Sequence, residues 1–510
     1  MIKILGVEFG STRIKAVLTD EKANVLAQGG YDWENKLVDG LWSYDLDEVW
    51  VGLRESYKKL VENYGEPIES LDAIGISGMM HGYIATDENE KLLAPFRTWR
   101  NTNAAEAAEE LTELFKFHVP MRWSVSQYYQ SILEKLDHVK DVRHLNTLAG
   151  YVHYVLTGKR VLGINDASGI FPIDDNKQYD KTMLDKFNKR LSEHGLDVDF
   201  VKLLPQVLVA GDNAGYLTEE GAKLIDPLGK LKAGCPLCPP EGDMGTGMIC
   251  TNCVAPKTAN MSLGTSANLT VILEKNMSSY YPEIDVIQTP AGAPAALVHA
   301  NTCTSVIDMW VNMFNEVVEL TGGKVDRGTL FRLLFNKAEE SDENVGNLAG
   351  YNFLAGEPLA KTYEGAPMVF GLQDGKINLA NFMQMQIYSA IAPLALGMDI
   401  LKNENVSVDL VYGHGGYFKT PFIGQKAVSA LVGAPVSIMD NAGEGGAWGI
   451  AILAIYMLNR NGTLAEFMDK LLSGVNKTTL VADEIDKTKF STFIRNYKAG
   501  LEAERKLSEI

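Results

Sequence analysis

No uninterrupted apolar stretch in the chain reaches the ~20 residues that a membrane-spanning helix needs, which argues against a helical membrane protein. Positive charge is scarce: 47 Lys and Arg stand against 65 Asp and Glu, a net charge of −18 with a pI near 5.0. Such a surface repels phosphate polymers and anionic lipid, so neither nucleic acid nor a membrane surface is an expected partner. The start, MIKILGVEFG, lacks a signal-peptide pattern because its short apolar run leads straight into an acidic turn. With only five cysteines, a reducing cytoplasm is the expected location. Two nucleotide motifs are missing as well. The stretch GVEFGSTRIKAV from Gly6 to Val17 has no Gly-Lys-Ser/Thr ending and is not GxGxxG, so P-loop and dinucleotide-binding readings lose support. There is no low-complexity linker.

What remains is an ordinary globular composition, 46% hydrophobic and 22% charged, in a chain of 510 residues that exceeds a single core. Two large domains are expected, residues 1–254 and 255–510, with the boundary near Thr251 to Lys257. The segment from Glu241 to Ser266, EGDMGTGMICTNCVAPKTANMSLGTS, is the most informative. Asp243 lies between Gly242 and Gly245 at a strand-to-helix corner, where a carboxylate accepts a proton or positions a magnesium ion. Gly264, Thr265 and Ser266 form a turn between strand-like runs, a place where backbone N–H groups and hydroxyls face an anion. The amino terminus repeats the theme. Strand-like Lys3 to Val7 and Ile14 to Thr19 flank the small-residue turn Glu8 to Arg13, which places an acid at the mouth of a hairpin.

Two more glycine clusters follow. Strand-like Val408 to Tyr412 leads into Gly413-His414-Gly415-Gly416 and a helix-spaced run from Phe418 to Val432, a loop that lets a nucleotide approach the backbone. Asp440 to Ala447, DNAGEGGA, then enters a small-residue helix from about Trp448 to Leu458. The helix-spaced runs Asn381 to Leu401 and Lys487 to Leu507 read as structural. Both halves alternate hairpins, helices and strands, without an exact sequence repeat.

In this order the segments resemble the FGGY family of carbohydrate kinases, within the actin-like ATPase and sugar kinase superfamily, over nearly the whole chain. GVEFGSTRIKAVLTD resembles the first phosphate hairpin, MSLGTSA the second, EGDMGTGM the segment with the catalytic aspartate, and GHGGYFKTPFIGQKAVSALVGAPV the adenine-side loop and helix. ISGMMHGYIATD from Ile76 to Asp87, Thr98-Trp99-Arg100-Asn101, Leu156-Thr157-Gly158 and Asn165-Asp166-Ala167-Ser168-Gly169 resemble elements of the family's xylulokinase branch. The resemblance implies an α/β fold of two actin-like ATPase (ribonuclease H-like) domains with a catalytic cleft between them. It implies transfer of the ATP γ-phosphoryl group to a sugar held by Met80, His81, Trp99, Asn101 and Asp166, with Asp243 as base. Glu8 and Asp243 would hold Mg2+. Gly10, Ser11, Thr12, Gly264, Thr265, Ser266, Gly415 and Gly416 would border the nucleotide and its phosphates.

D-Xylulose, giving D-xylulose 5-phosphate, is the leading acceptor; ribulose, fuculose, rhamnulose, glycerol and gluconate are alternatives, and a homodimer is plausible. The family's usual aspartate is replaced by Glu8, and Trp99-Arg100-Asn101 ends in an amide where an acid is usual. A rival reading is a non-catalytic nucleotide- or zinc-binding protein. Cys235, Cys238, Cys250 and Cys253 form two CxxC pairs separated by eleven residues, shorter than the usual zinc-site spacing. Buried reduced thiols are the favoured alternative to zinc.

Overall fold

The computed structural model describes residues 2–439 and 445–510. Strands β1 (Ile4–Phe9), β2 (Arg13–Thr19) and β3 (Val25–Asp32) form an antiparallel meander. Helix α1 (Leu46–Tyr64) starts at the Asp45 cap, whose carboxylate accepts the Asp47 N–H, and ends at Gly65 in the left-handed region. It returns the chain to β4 (Ala73–Gly78), parallel to β1. Nearly every residue of β1 and β4 is buried, which explains their continuous apolar runs in place of alternation. Helices α2 (Ser124–Leu133), α3 (Leu148–Thr157) and α4 (Ile164–Ala167) precede β5 (Glu241–Gly242), which pairs in parallel with β4 and runs directly into α5 (Asp243–Cys250). The sheet order is β5-β4-β1-β2-β3.

The second half rebuilds this plan. Strands β6 (Thr258–Leu263), β7 (Ala267–Ile272), β8 (Ile284–Gln288) and β9 (Pro294–Ala300) are antiparallel neighbours. After α6 (Thr304–Leu320), α7 (Leu379–Ser389) and α8 (Ala392–Asn403) comes β10 (Leu410–His414), parallel to β6. Helix α9 (Ile423–Val432), β11 (Val436–Met439), α10 (Gly446–Leu458), β12 (Lys477–Leu480) and α11 (Glu484–Leu507) complete it. The order β9-β7-β6-β10-β11 matches that of the first sheet, with β8 and β12 added at the edges. The single helix read from Asn381 to Leu401 is two, α7 and α8, because Pro393 in the first turn of α8 lacks the N–H that continuation requires. Among the described residues no helix is long and apolar enough to cross a membrane.

Helix α10 comes from the second half of the sequence but lies on the first sheet. Gly6 and Gly75 pair directly across β1 and β4. A Cβ on Gly6 would sit 1.9 Å from the Ala447 carbonyl oxygen, and one on Gly75 would sit 2.6 Å from that of Ile450. The paired glycines form a trough in which the backbone of α10 rests on the strands. Residues Gly446 to Tyr456 are all buried, and they share one apolar core with Ile4, Val17 and Ala73. A helix apolar all round is stable only when enclosed in this way.

Candidate active site

The trough brings the amino end of α10 to Glu8. Its N-cap, Gly445, has no side chain to cap with, and the Glu8 carboxylate accepts the N–H groups of Gly446 and Ala447 instead. A Cβ on Gly446 would lie 2.3 Å from Glu8 Oε1 and 2.7 Å from Thr246 Oγ1, so only glycine admits both α5 and Glu8 there. Burial, and next the charge of Asp243, raise the Glu8 pKa above the usual carboxylate value, against those N–H groups and Lys15. The turn beside it is braced by aromatics. Trp33 Nε1 donates to the Gly10 carbonyl at 2.7 Å, the Tyr44 hydroxyl to the Ser11 carbonyl at 2.5 Å, and Trp99 Nε1 to Ser11 Oγ at 3.2 Å.

Asp243 is the first residue of α5, as the strand-to-helix reading requires. It is half-buried, and its Oδ1 accepts the Met80 N–H at 3.2 Å. Burial raises its pKa, while the N–H groups of Met80, Met244 and Asp243 itself oppose the rise. Its flanking glycines serve packing: a Cβ on Gly242 would meet Met80 Cγ at 2.0 Å, and one on Gly245 would meet Asn165 Oδ1 at 2.5 Å. Behind the corner, Thr147 Oγ1 donates to Asp166 Oδ2 at 2.6 Å and the Asp166 N–H to Glu241 Oε2 at 3.1 Å. Burial pushes Asp166 up to about 8 and Glu241 well above the carboxylate range.

The residues expected to hold the sugar are distributed unevenly. Met80 and His81 are buried beside the corner. His81 has φ of 66°, its Nδ1 lies 3.3 Å from the Gly169 carbonyl oxygen, and its ring stacks on Trp123. Burial, then Arg122, push its pKa down to about 3, so the imidazole is neutral. Trp99 is 43% exposed and, with Asn101, lines a cleft of about 1320 Å³ that also holds His118, Arg122, Asp285 and His299. Asn101 and Asp166 both carry contacts within the fold. The Asn101 carboxamide is occupied by structure, Oδ1 accepting the Trp42 N–H at 2.8 Å and Nδ2 donating to the Trp42 and Thr98 carbonyls. Asp166 is fully buried, one oxygen on Thr147 and the other without a hydrogen-bond partner among the described residues.

Sequence reading missed Arg122, which pairs with Asp285, and His118, 3.2 Å from the same carboxylate. Nothing local in HVPMRWS announces a partner on a strand of the other half. Asn165, Glu241 and Thr246 lay inside quoted segments without assigned roles.

In the second half the 264–266 turn is held by backbone contacts. The Gly264 carbonyl accepts the Thr304 N–H at 3.0 Å and its hydroxyl at 2.7 Å, and the Thr265 carbonyl accepts the Cys303 N–H at 2.8 Å. Gly415 comes to the same place: at φ of 106° and ψ of 179°, with a Cβ position 2.3 Å from the Leu263 carbonyl oxygen, it admits only glycine. A Cβ on Gly416 would meet nothing within 4 Å. Of the segment DNAGEGGA, Asp440–Glu444 lie outside the described residues.

The four cysteines of the CxxC pairs do not converge. Cys238 Sγ points to the Ile450 carbonyl at 3.9 Å, Cys250 Sγ to that of Gly445 at 3.0 Å and Cys253 Sγ to Thr258 Oγ1 at 3.5 Å, while Cys235 packs in a different apolar core. All four are buried thiols outside any disulfide, and burial pushes Cys235 and Cys253 up to about 12, away from the thiolate zinc requires. Among the described residues no group of three or more His, Cys, Asp or Glu could hold a metal ion.

Comparison with known proteins gives this arrangement its family. The N-terminal domain of the FGGY family of carbohydrate kinases matches residues 3–250, and its C-terminal domain matches residues 259–458. The xylulose kinase of Haemophilus influenzae is 22% identical, over 91% of this chain and 92% of its own. That of Escherichia coli is 23% identical, over 92% of each. In fold, the xylulose kinase of Rhodospirillum rubrum superposes with a TM-score of 0.81 at 14% identity, over 100% of both chains. The gluconate kinase of Lactobacillus acidophilus superposes with a TM-score of 0.79 at 16% identity, over 99% of both. With both family domains matched in order along one chain, the protein belongs to the FGGY family of carbohydrate kinases and is a sugar kinase.

Proposed function

We propose that the protein transfers the γ-phosphoryl group of ATP to a hydroxyl of a small sugar, with D-xylulose as the leading acceptor. The observation that carries the reading is the half-buried Asp243 carboxylate at the amino end of α5, its proton affinity raised by burial, set beside Glu8 from β1. A carboxylate so placed takes the proton of an attacking hydroxyl, a role worth roughly 10² to 10⁴ in rate. The acceptor lies against Trp99, Met80 and neutral His81, a mixture of flat apolar surface and hydrogen-bonding groups that suits a ketose. The turns Gly10–Thr12 and Gly264–Ser266, with Gly415 and Gly416, steady the phosphates through N–H groups and hydroxyls. We place the domain division at 254/255.

Magnesium fits this corner. Glu8 and Asp243 are hard oxygen donors close enough for one charge to raise the other's proton affinity. A dication held by one or two carboxylates and completed by substrate phosphates and water needs no larger protein cage. Glu8 and Asp243 would hold it, and it would neutralise charge developing on the phosphoryl oxygens. Glu8, one methylene longer than the family's aspartate, also reaches the N–H groups of α10.

A second reading is a sugar-acid acceptor such as gluconate, whose carboxylate would compete with Asp285 for Arg122 and His118 in the cleft. ADP release from Mg-ATP across D-xylulose, D-ribulose, L-fuculose, L-rhamnulose, glycerol and D-gluconate tests both readings. D-Xylulose turnover that collapses in Asp243→Asn supports the first, and preference for gluconate the second. Undiminished turnover in a folded Asp243→Asn protein removes Asp243 as base.

A further inference from the structure

Helix α5 presents Asp243 but cannot cap itself, because its N-cap is Gly242 and no side chain there reaches the first-turn N–H groups. The cap comes from elsewhere in the fold. Asn165 Oδ1, on α4, accepts the Gly245 N–H at 2.9 Å, two residues beyond Asp243. In return Glu241, the residue before Gly242, takes the N–H groups of Asn165 and Asp166 at the amino end of α4. Each helix start is capped by the segment that carries the other.

The same Asn165 carboxamide has a second partner. Its Nδ2 donates to the Gln288 carbonyl at 2.6 Å, at the end of β8 in the second half, and the Gln288 N–H donates to Ser168 Oγ at 3.0 Å. Asn165 is fully buried, so each of these bonds is made without competition from water. The pairing also fixes the amide orientation, since a reversed carboxamide would face N–H with NH2 and carbonyl with oxygen. Gly242 and Gly245 leave the room: a Cβ on either would come within 3.0 Å of Asn165 Oδ1. A merely space-filling residue would need neither the glycines nor partners on two different elements.

We propose that Asn165 is a positioning residue that sets the Asp243 carboxylate by tying the first turn of α5 to strand β8 of the second half. The proposal rests on Asp243 being the base. Its test is a double-mutant cycle, run with Mg-ATP and whichever acceptor of the panel above is turned over fastest. Asn165→Ala is expected to lower kcat about tenfold, the size of one lost buried hydrogen bond, with KM for acceptor and ATP within about twofold. In the Asp243→Asn background the same change should lower residual turnover by less than about twofold, because its effect passes through a carboxylate already removed. Gly245→Ala, whose Cβ would press on Oδ1 at 2.5 Å, should reproduce the signature without altering Asn165, and keeps the test open should Asn165→Ala fail to fold. Equal losses in both backgrounds, or a change confined to KM, would overturn the proposal alone. Full turnover in Asp243→Asn would overturn the base assignment and this proposal with it.

Discussion

The two acidic or glycine-rich corners of this protein look alike in sequence and are built differently. Around Asp243, side chains from distant segments converge: Glu8 from β1, Asn165 from α4, Met80 after β4 and the glycine end of α10. Around Gly264–Ser266 the contacts are those of backbone carbonyls with the start of α6, and Thr265 stays exposed. The difference teaches where each corner is vulnerable. The first depends on individual side chains and on room for α10, whereas the second depends on backbone conformation and tolerates loss of side chains as far as folding is concerned.

The largest effect is expected at the first corner. Asp243→Asn should lower turnover by about 10² to 10⁴ while moving the melting temperature little; a comparable loss of stability would mean the corner is structural. Next is Gly6→Ala, whose Cβ would collide with the Ala447 carbonyl at 1.9 Å, an overpacking expected to destabilise by about 1–3 kcal/mol in urea unfolding. At the second corner Gly415→Ala should cost about 1–3 kcal/mol for its glycine-only backbone, whereas Thr265→Ala should leave stability within about 0.5 kcal/mol. Thr265→Ala should instead raise KM for ATP, by about tenfold at most for one hydrogen bond. Equal destabilisation by these two would break the comparison.

A separate prediction is a pH slope. Asp166 ionises near 3.9 when unfolded but has its pKa raised to about 8 by burial in the native state. The folded protein therefore binds the extra proton across that window, and the contribution of Asp166 to stability is present below pH 4 and lost as pH rises through about 8. Relative to wild type, Asp166→Asn should gain stability between pH 5 and pH 8 in chemical denaturation; a pH-independent difference would mean Asp166 is charged in the native state.

Much of the scaffold was legible. The hairpins at Glu8–Arg13 and Gly264–Ser266, and the helix that Asp243 opens, are where apolar runs and small-residue turns put them. Ambiguity arose where one residue type serves two purposes. Gly242 and Gly245 read only as the flexible flanks of Asp243, but Met80 and Asn165 occupy the space their missing Cβ atoms leave. Asn101 and Asp166 read as sugar contacts, and in the fold Asn101 also bonds Trp42 and Thr98 while Asp166 accepts from Thr147. A buried amide or acid and a ligand-facing one have the same letter, and only the partner distinguishes them. The run from Asn381 to Leu401 kept a helical period across its break, which Pro393 marks in retrospect.

By itself the sequence determined the charge, the twice-repeated order of hairpin, helix and strand, and the placement of an acid at the start of a helix, because periodicity and turn chemistry are local properties. Tertiary structure alone decided that α10 returns to the first sheet through paired Gly6 and Gly75, that Glu8 caps it, and that Asn165 bridges α5 and β8. Those contacts join residues as much as 441 positions apart, from Gly6 to Ala447, and close packing in three dimensions leaves no periodic trace along the chain.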